Sequence, residues 1–314
     1  MKYLIKALAV GASRYGQRPQ FSWRKDTEPS TTGLRAWLMN GTGYSQVYRK
    51  GPNEIAIECL DSSWAEANAS DLIANREAAM ESLQPRQHNA YSNQSVAWPI
   101  VTSYYSTYFA AQSFLRCIGL GSIYIEQEEA AKLSAAWNAR GFPVALAAHN
   151  YGFSIELSVP VKILLRQLGS AGGAHQQFWI GFRQSQAAIH EALLLSPGLG
   201  TLGPTERQAA DGEYTRLIQM CFRDTSVPSA NLNFTWLSSL RNETNYRFSG
   251  HAWLMNWHHS AGLIANYQGI IDRYSTGLRT LPEGQRTFSK AHLVFVATRL
   301  CQVIRDATSG LKHP

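Results

Sequence analysis

The chain is short of cysteine, of charge and of long apolar runs, and each shortage excludes something. Its four cysteines, Cys59, Cys117, Cys221 and Cys301, are scattered through 314 residues with no CxxC pair. That spacing suits neither a zinc knuckle nor a disulfide scaffold, and it points to free, mostly buried thiols in a reducing cytosol. No apolar stretch approaches the ~20 residues that a membrane-spanning helix needs. The opening MKYLIKALAVGASRYG has the look of a signal peptide, but Lys6 interrupts an already short apolar run. A cytoplasmic chain with no membrane association is the expectation.

Motifs for the common cofactor chemistries are missing as well. There is no GxxxxGK[ST], GxSxG, HExxH or DxDxDG pattern, so no P-loop ATPase activity is expected. GLGTLG at 198–203 matches GxGxxG, yet Pro197 and Pro204 bracket it and no βαβ unit surrounds it. The dinucleotide fingerprint needs a strand before the glycines and a helix starting within them, so this stretch reads as a linker. His258 and His259 are adjacent, which sends their rings to different faces of a helix, and neither has a His or carboxylate at i±4. His149, His175 and His190 stand alone in the sequence. No metal site and no cofactor are expected.

What the chain does have is apolar bulk and arginine. With 45% hydrophobic residues, 11% aromatics, nine Trp and fourteen Tyr it can bury a large core. Net charge is +7, unevenly spread. Residues 1–160 carry 14 Lys+Arg against 13 Asp+Glu, whereas residues 161–314 carry 15 against 9, and twelve of those fifteen are Arg. The planar guanidinium fork suits phosphate, so an arginine-weighted second half leans toward nucleic acid or toward buried ion pairs.

Periodicity predicts a mainly α chain. Residues 1–60 are punctuated by Gly, Pro, Ser and Thr and read as irregular, with NEIAIECL as a strand. Ser62 to Leu83 reads as a Ser-capped helix. AWPIVTSYYSTYFAAQSFLRCIGLG reads as a helix with Pro99 in its first turn and Gly119 and Gly121 closing it. In it Tyr104, Tyr108, Ala111, Leu115 and Ile118 form one apolar stripe, widened by Tyr105 and Phe109. EQEEAAKLSAAWNAR is a further helix. The apolar runs flanking HNYG suggest a small two-stranded hairpin within residues 141–160. Residues 161–195 read as helical, broken at GSAGGA, and helices follow at about 204–223, 234–257, 261–276 and 287–308. In the last of these, Leu293, Ala297, Leu300 and Ile304 mark the buried stripe. The domain reading is 1–60 irregular, 61–160 helical with an aromatic central helix and the hairpin, and 161–314 a helical bundle.

One stretch concentrates chemistry: LRNETNYRFSGH, residues 240–251. On a helix Arg247 and His251 stand at i and i+4 on one face, with Arg241 and Asn245 on a neighbouring track. A metal-free ribonuclease needs a base for the 2′-hydroxyl proton and a cation for the charge building on phosphorus, and a His with an Arg fork supplies both. His251 would be the general base or acid, with Arg247 and Arg241 as phosphate and transition-state contacts. Asn242 and Asn245 would orient substrate or hold the arginine, and Tyr246 would stack a base or pack. The alternative is a polar helix face whose arginines pair with Glu243 or a neighbouring helix.

SYYSTYFAAQSFLRCIG (103–119) on a Pro-initiated helix, together with a later helix carrying RNETNYR (241–247), resembles HEPN-like helical proteins of the YaaC-like and abortive-infection-associated branch. The resemblance covers residues 97–120 and 205–308, and neither residues 1–60 nor 141–160. It implies an all-α bundle, dimerisation or membership of a larger complex, and a role in prokaryotic defence or toxin–antitoxin systems. Active members carry an Arg-polar pair followed at a fixed gap by His. Arg241-Asn242 supplies the pair, but nine residues separate Arg241 from His251, and only three separate Arg247 from His251. The degenerate spacing ranks an RNA- or partner-binding subunit above a metal-independent ribonuclease. A nucleotide or small-molecule sensor walled by the Tyr-rich helix is a third reading.

Overall fold

Alternating apolar residues, rather than helical stripes, build the part of the chain that pattern reading resolved least. A computed structural model describes residues 1–15, 33–83, 97–169, 173–196, 199–222, 232–246 and 290–309. These residues are mainly helical and include one five-stranded antiparallel sheet of order β1-β2-β5-β4-β3. The strands are β1 (Tyr44–Gly51), β2 (Glu54–Cys59), β3 (Leu120–Ile125), β4 (His149–Glu156) and β5 (Lys162–Gln167). The helices are α1 (Lys2–Tyr15), α2 (Leu34–Asn40), α3 (Ser63–Leu83), α4 (Ala97–Cys117), α5 (Gln127–Ala139), α6 (Ala174–Gln184), α7 (Gln186–Leu195), α8 (Pro204–Phe222), α9 (Trp236–Tyr246) and α10 (Lys290–Thr308).

The chain divides into two compact units. The sheet unit comprises Lys2–Ala74, Gln112–Asp211 and Ala307–Pro314. One face of its sheet presents Ile55 and Ile57, Ile163 and Leu165, Tyr151, Phe153 and Ile155, and Ile123 and Ile125, in cross-strand register. These pack with Trp37 and Leu38 of α2, Trp64 of α3, and Leu133 and Trp137 of α5 in one hydrophobic cluster. Strand β4 alternates with period 2, whereas β2 and β5 each bury three consecutive residues and are covered on both faces there. The opposite face buries Ala56 and Leu164 and also carries ion pairs between strands: Lys162 with Glu58 at 3.2 Å, Lys50 with Glu156 at 3.1 Å and Arg166 with Glu54 at 3.2 Å. Arg116, at the end of α4, bonds Asp71 of α3 at 2.8 Å and lies 4.8 Å from the Phe153 ring centroid. Gly11 is required where α1 crosses α4, since a Cβ there would stand 2.1 Å from the Cys117 carbonyl oxygen.

The helical unit comprises Met1, Asn75–Ala111 and Gly212–Asp306. Small residues let three of its helices approach closely. The Ser106 hydroxyl of α4 donates to the Ala79 carbonyl of α3 at 2.8 Å and lies 3.0 Å from the Cys301 sulfur of α10. Leu293, Ala297, Leu300 and Ile304 of α10 are all buried, as their spacing predicts.

Three expectations need correction. The first 60 residues are not irregular where described: they hold α1, α2 and the β1–β2 hairpin, and the NEIAIECL strand is β2. The two-stranded insertion is part of a five-stranded sheet, and HNYG lies inside β4 rather than at its turn. Gly152 is a mid-strand residue paired with Arg166 and Ser122, and the chain reverses after Glu156, through a cis Val159–Pro160 peptide. Residues 162–167, read as helical, are β5, where Ile163, Leu164 and Leu165 are buried. The expected helix at 261–276, and the part of the 234–257 helix beyond Tyr246, lie outside the described residues.

Candidate functional site

α9 is fixed at its start before any chemistry begins. The Asn233 side-chain oxygen accepts the backbone N–H groups of Thr235 and Trp236, each at 3.1 Å, which occupies orphan donors of the first turn. The Trp236 indole N–H donates to the Cys221 carbonyl near the end of α8 at 3.2 Å. Phe234 stacks on Phe222 with ring centroids 4.5 Å apart. From there Leu237 and Thr244 are buried on one stripe, and Arg241 stands between them at i+4 from Leu237.

Arg241 reaches across to α4. One guanidinium nitrogen donates to the Tyr105 phenol oxygen at 3.0 Å, another to the Asn242 side-chain oxygen at 3.0 Å, and the guanidinium carbon lies 5.8 Å from the Tyr105 ring centroid. Phe109 stacks on the Tyr105 ring at 6.2 Å, and Tyr104 meets it edge-on at 5.6 Å. Tyr104 is buried, while Tyr105, Tyr108 and Phe109 are half-buried. Asn242 and Glu243 are exposed. The result is a guanidinium oriented by two neutral oxygens beside a row of aromatic rings on one helix. Such a fork can take a phosphate bidentately, and rings of this kind can take a base or pack against protein.

The residues predicted from sequence separate accordingly. Arg241 donates to the Asn242 side-chain oxygen at 3.0 Å, so these two are brought together. Asn245 and Tyr246 lie at the end of α9, where the described structure gives their backbone alone. Arg247 and His251 lie outside the described residues. Tyr105 was foreseen only as a widening of the aromatic stripe. Its pairing with Arg241, 136 positions away, leaves no local trace.

A second polar pair escaped sequence reading. His190, on α7, places Nδ1 2.5 Å from an Asp211 carboxylate oxygen of α8, both side chains partly exposed. A carboxylate at Nδ1 favours the imidazole tautomer with its proton on that nitrogen. Among the described residues no group of three or more His, Cys, Asp or Glu could hold a metal ion. His258 and His259 lie outside those residues. GLGTLG is preceded by a helix, α7, and followed by α8, so the linker reading fits the described chain. Burial pushes the thiols of Cys59, Cys117 and Cys221 up to about 12, with the charge of Asp61 adding to the effect at Cys59. They are structural sulfurs rather than nucleophiles. No helix among the described residues is long and apolar enough to cross a membrane.

No protein-family model, curated protein or solved structure matches the chain.

Proposed function

We propose that this is a HEPN-like nucleic-acid-binding subunit, and that the α4–α9 face around Arg241 contacts RNA. The observation that carries the reading is the Arg241 guanidinium, held at 3.0 Å by both the Tyr105 phenol and the Asn242 amide beside half-buried rings. The Tyr105 and Asn242 oxygens orient the fork. The excess of arginine in the second half of the chain supplies a favourable long-range field for a polyanion. Tyr105, Tyr108 and Phe109 would add stacking, which for single strands is sequence-tolerant.

The test is binding of a fluorescent single-stranded RNA as a function of salt, for wild type, Arg241→Lys, Tyr105→Phe and Asn242→Ala. Each phosphate contact on a single strand contributes about 0.7 to the slope of log K against log salt. Arg241→Lys keeps the charge but loses the bidentate fork, so affinity falls while the slope holds. Tyr105→Phe keeps the ring and frees the guanidinium from its phenol anchor, weakening binding less. Salt-insensitive binding, or binding unchanged in all three variants, would remove the proposal. Metal-free cleavage in EDTA, lost in both Arg247→Ala and His251→Ala, would upgrade binding to ribonuclease activity.

A further inference from the structure

Among the described residues the sheet ends in a strand, β3, whose outer edge has no strand paired to it, and its hydrogen-bond parity fits a second copy of itself. Ile155 donates its N–H to the Gly119 carbonyl at 2.8 Å, in the same register that pairs Gly121 with Phe153 and Ile123 with Tyr151. In an antiparallel ladder only alternate residues bond a given neighbour. The odd-numbered residues of β3 therefore face β4, and Leu120, Ser122 and Tyr124 point their N–H and C=O groups outward. Among the described residues no backbone hydrogen bond reaches those outward groups.

Sheet edges of this kind are usually blunted, and the other edge of this sheet is. β1 carries register shifts between Tyr44 and Gln46 and between Arg49 and Gly51. Arg49 folds over to bond the carbonyls of Pro52 and Ala145, and Lys50 is exposed. β3, read LGSIYI, has no bulge, no proline and no charge, and Tyr124 is 48% exposed on it.

We infer that β3 is an interaction edge that pairs antiparallel with β3 of a second copy about a two-fold axis at Ser122. That register opposes Ser122 to Ser122 and Leu120 to Tyr124, so every outward N–H and C=O of both strands is satisfied at once. It sets the exposed Tyr124 ring across from a leucine, a favourable cross-strand pair. The intervening positions set Gly121 against Ile123, so the bulky side chain meets no side chain opposite. No like charges face each other. A one-residue slip would put outward groups against residues whose own groups are bonded to β4. A two-residue slip would leave one outward residue of each strand with none of Leu120, Ser122 or Tyr124 opposite it, so the central register satisfies the most groups. The two sheets would run on as one, and the contact closes with two-fold symmetry.

Sedimentation of the full chain from low micromolar to several hundred micromolar tests this. Wild type is expected to pass from monomer to dimer. Ser122→Pro removes the central donor from both copies, and is expected to raise the dimer dissociation constant about thirtyfold. Its β3–β4 ladder is untouched, though it gives up the hydroxyl that accepts from Gln112 at 3.3 Å. Tyr124→Lys keeps that bond and places a charge in the pairing edge, so it is expected to weaken the dimer even if Ser122→Pro folds poorly. Hydrogen exchange supplies the second readout: the amides of Leu120, Ser122 and Tyr124 become protected only at concentrations where dimer forms. A chain that stays monomeric throughout, or a dimer that neither variant weakens, overturns the inference.

Discussion

Replacing Asp71 with alanine removes one partner of the most deeply placed ion pair among the described residues. Its carboxylate meets the Arg116 guanidinium at 2.8 Å, with Arg116 only 5% exposed and Asp71 24% exposed. The same oxygen accepts the backbone N–H of Leu34 at 3.1 Å, so it also anchors the start of α2. Leaving a buried charge unpaired costs about 3–5 kcal/mol, and losing a helix-start acceptor costs about 1 kcal/mol. Water reaches the Asp71 side, which softens the first figure toward its lower end. The expected loss is therefore about 3–4 kcal/mol, large against a typical whole stability of about 5–15 kcal/mol. Three variants divide that figure. Asp71→Asn retains an acceptor for Leu34 and loses the charge, so it should fall between wild type and Asp71→Ala. Arg116→Met removes the cation and keeps much of the packing on Phe153. The double variant Asp71→Ala/Arg116→Met no longer buries a lone charge, so it should be more stable than Asp71→Ala alone, with a coupling of about 2 kcal/mol. Urea unfolding followed by far-UV circular dichroism measures each. An Asp71→Ala loss below about 1 kcal/mol, or a strictly additive double variant, would refute the view that the pair is desolvated and mutually dependent.

Two further outcomes follow from the ionisable groups. With the thiols of Cys117 and Cys221 pushed up to about 12 by burial, a thiol reagent at mildly alkaline pH should label neither in the folded chain and both in denaturant; rapid native labelling of either would contradict their placement. Burial works to raise the Glu129 carboxyl, but hydrogen bonds from Arg35 and from the Glu126 backbone, with the charge of Arg35, outweigh it and hold Glu129 below its usual range. A depressed carboxylate adds stability that is present above the ordinary Glu pKa of about 4.3 and is lost as pH falls through the folded value. The melting-temperature gap between wild type and Glu129→Gln should thus be constant near neutrality and close in acid, and a gap that widened in acid would reverse the assignment.

Helices with long uninterrupted stripes were legible in the sequence, and so was β2. α4 and α10 follow from Tyr104, Ala111 and Leu115 and from Leu293, Ala297 and Ile304, because a buried stripe repeats whatever its neighbours are. β4 was not legible in full, because Asn150 and Gly152 carry turn chemistry yet sit in a strand, where Tyr151, Phe153 and Ile155 alternate inward. Tertiary packing overrode the local signal there. α1 was hidden by its likeness to a leader, although Leu4, Ala7, Leu8, Gly11, Ala12 and Tyr15 already trace a helical face. At the candidate site the pair Arg241-Asn242 was singled out from the polar cluster at residues 240–251 and its helical spacing. Its partner Tyr105 was not, nor was Asp211 for His190, because each pairing joins side chains of separate helices and depends on how those helices pack.

Arg116 and Arg241 make different arguments. Arg116 is set against a carboxylate at 2.8 Å and a phenyl ring, so its presence is accounted for by the structure it holds together. Arg241 occupies a stripe position between buried Leu237 and Thr244, where an apolar side chain would pack without desolvating a charge. Replacing inward polar groups by well-packed hydrophobes is often neutral or stabilising by about 1–4 kcal/mol, so stability is a weak reason for an arginine there. The Tyr105 and Asn242 oxygens fix where its fork points, beside the half-buried rings of α4. A position that breaks the local rule for a buried stripe, while its neighbours hold it in one orientation, is where a functional constraint is expected to show. Arg241 is half-buried beside exposed Asn242 and Glu243, so a ligand can reach it where none can reach the more deeply buried Arg116, and the RNA reading rests there.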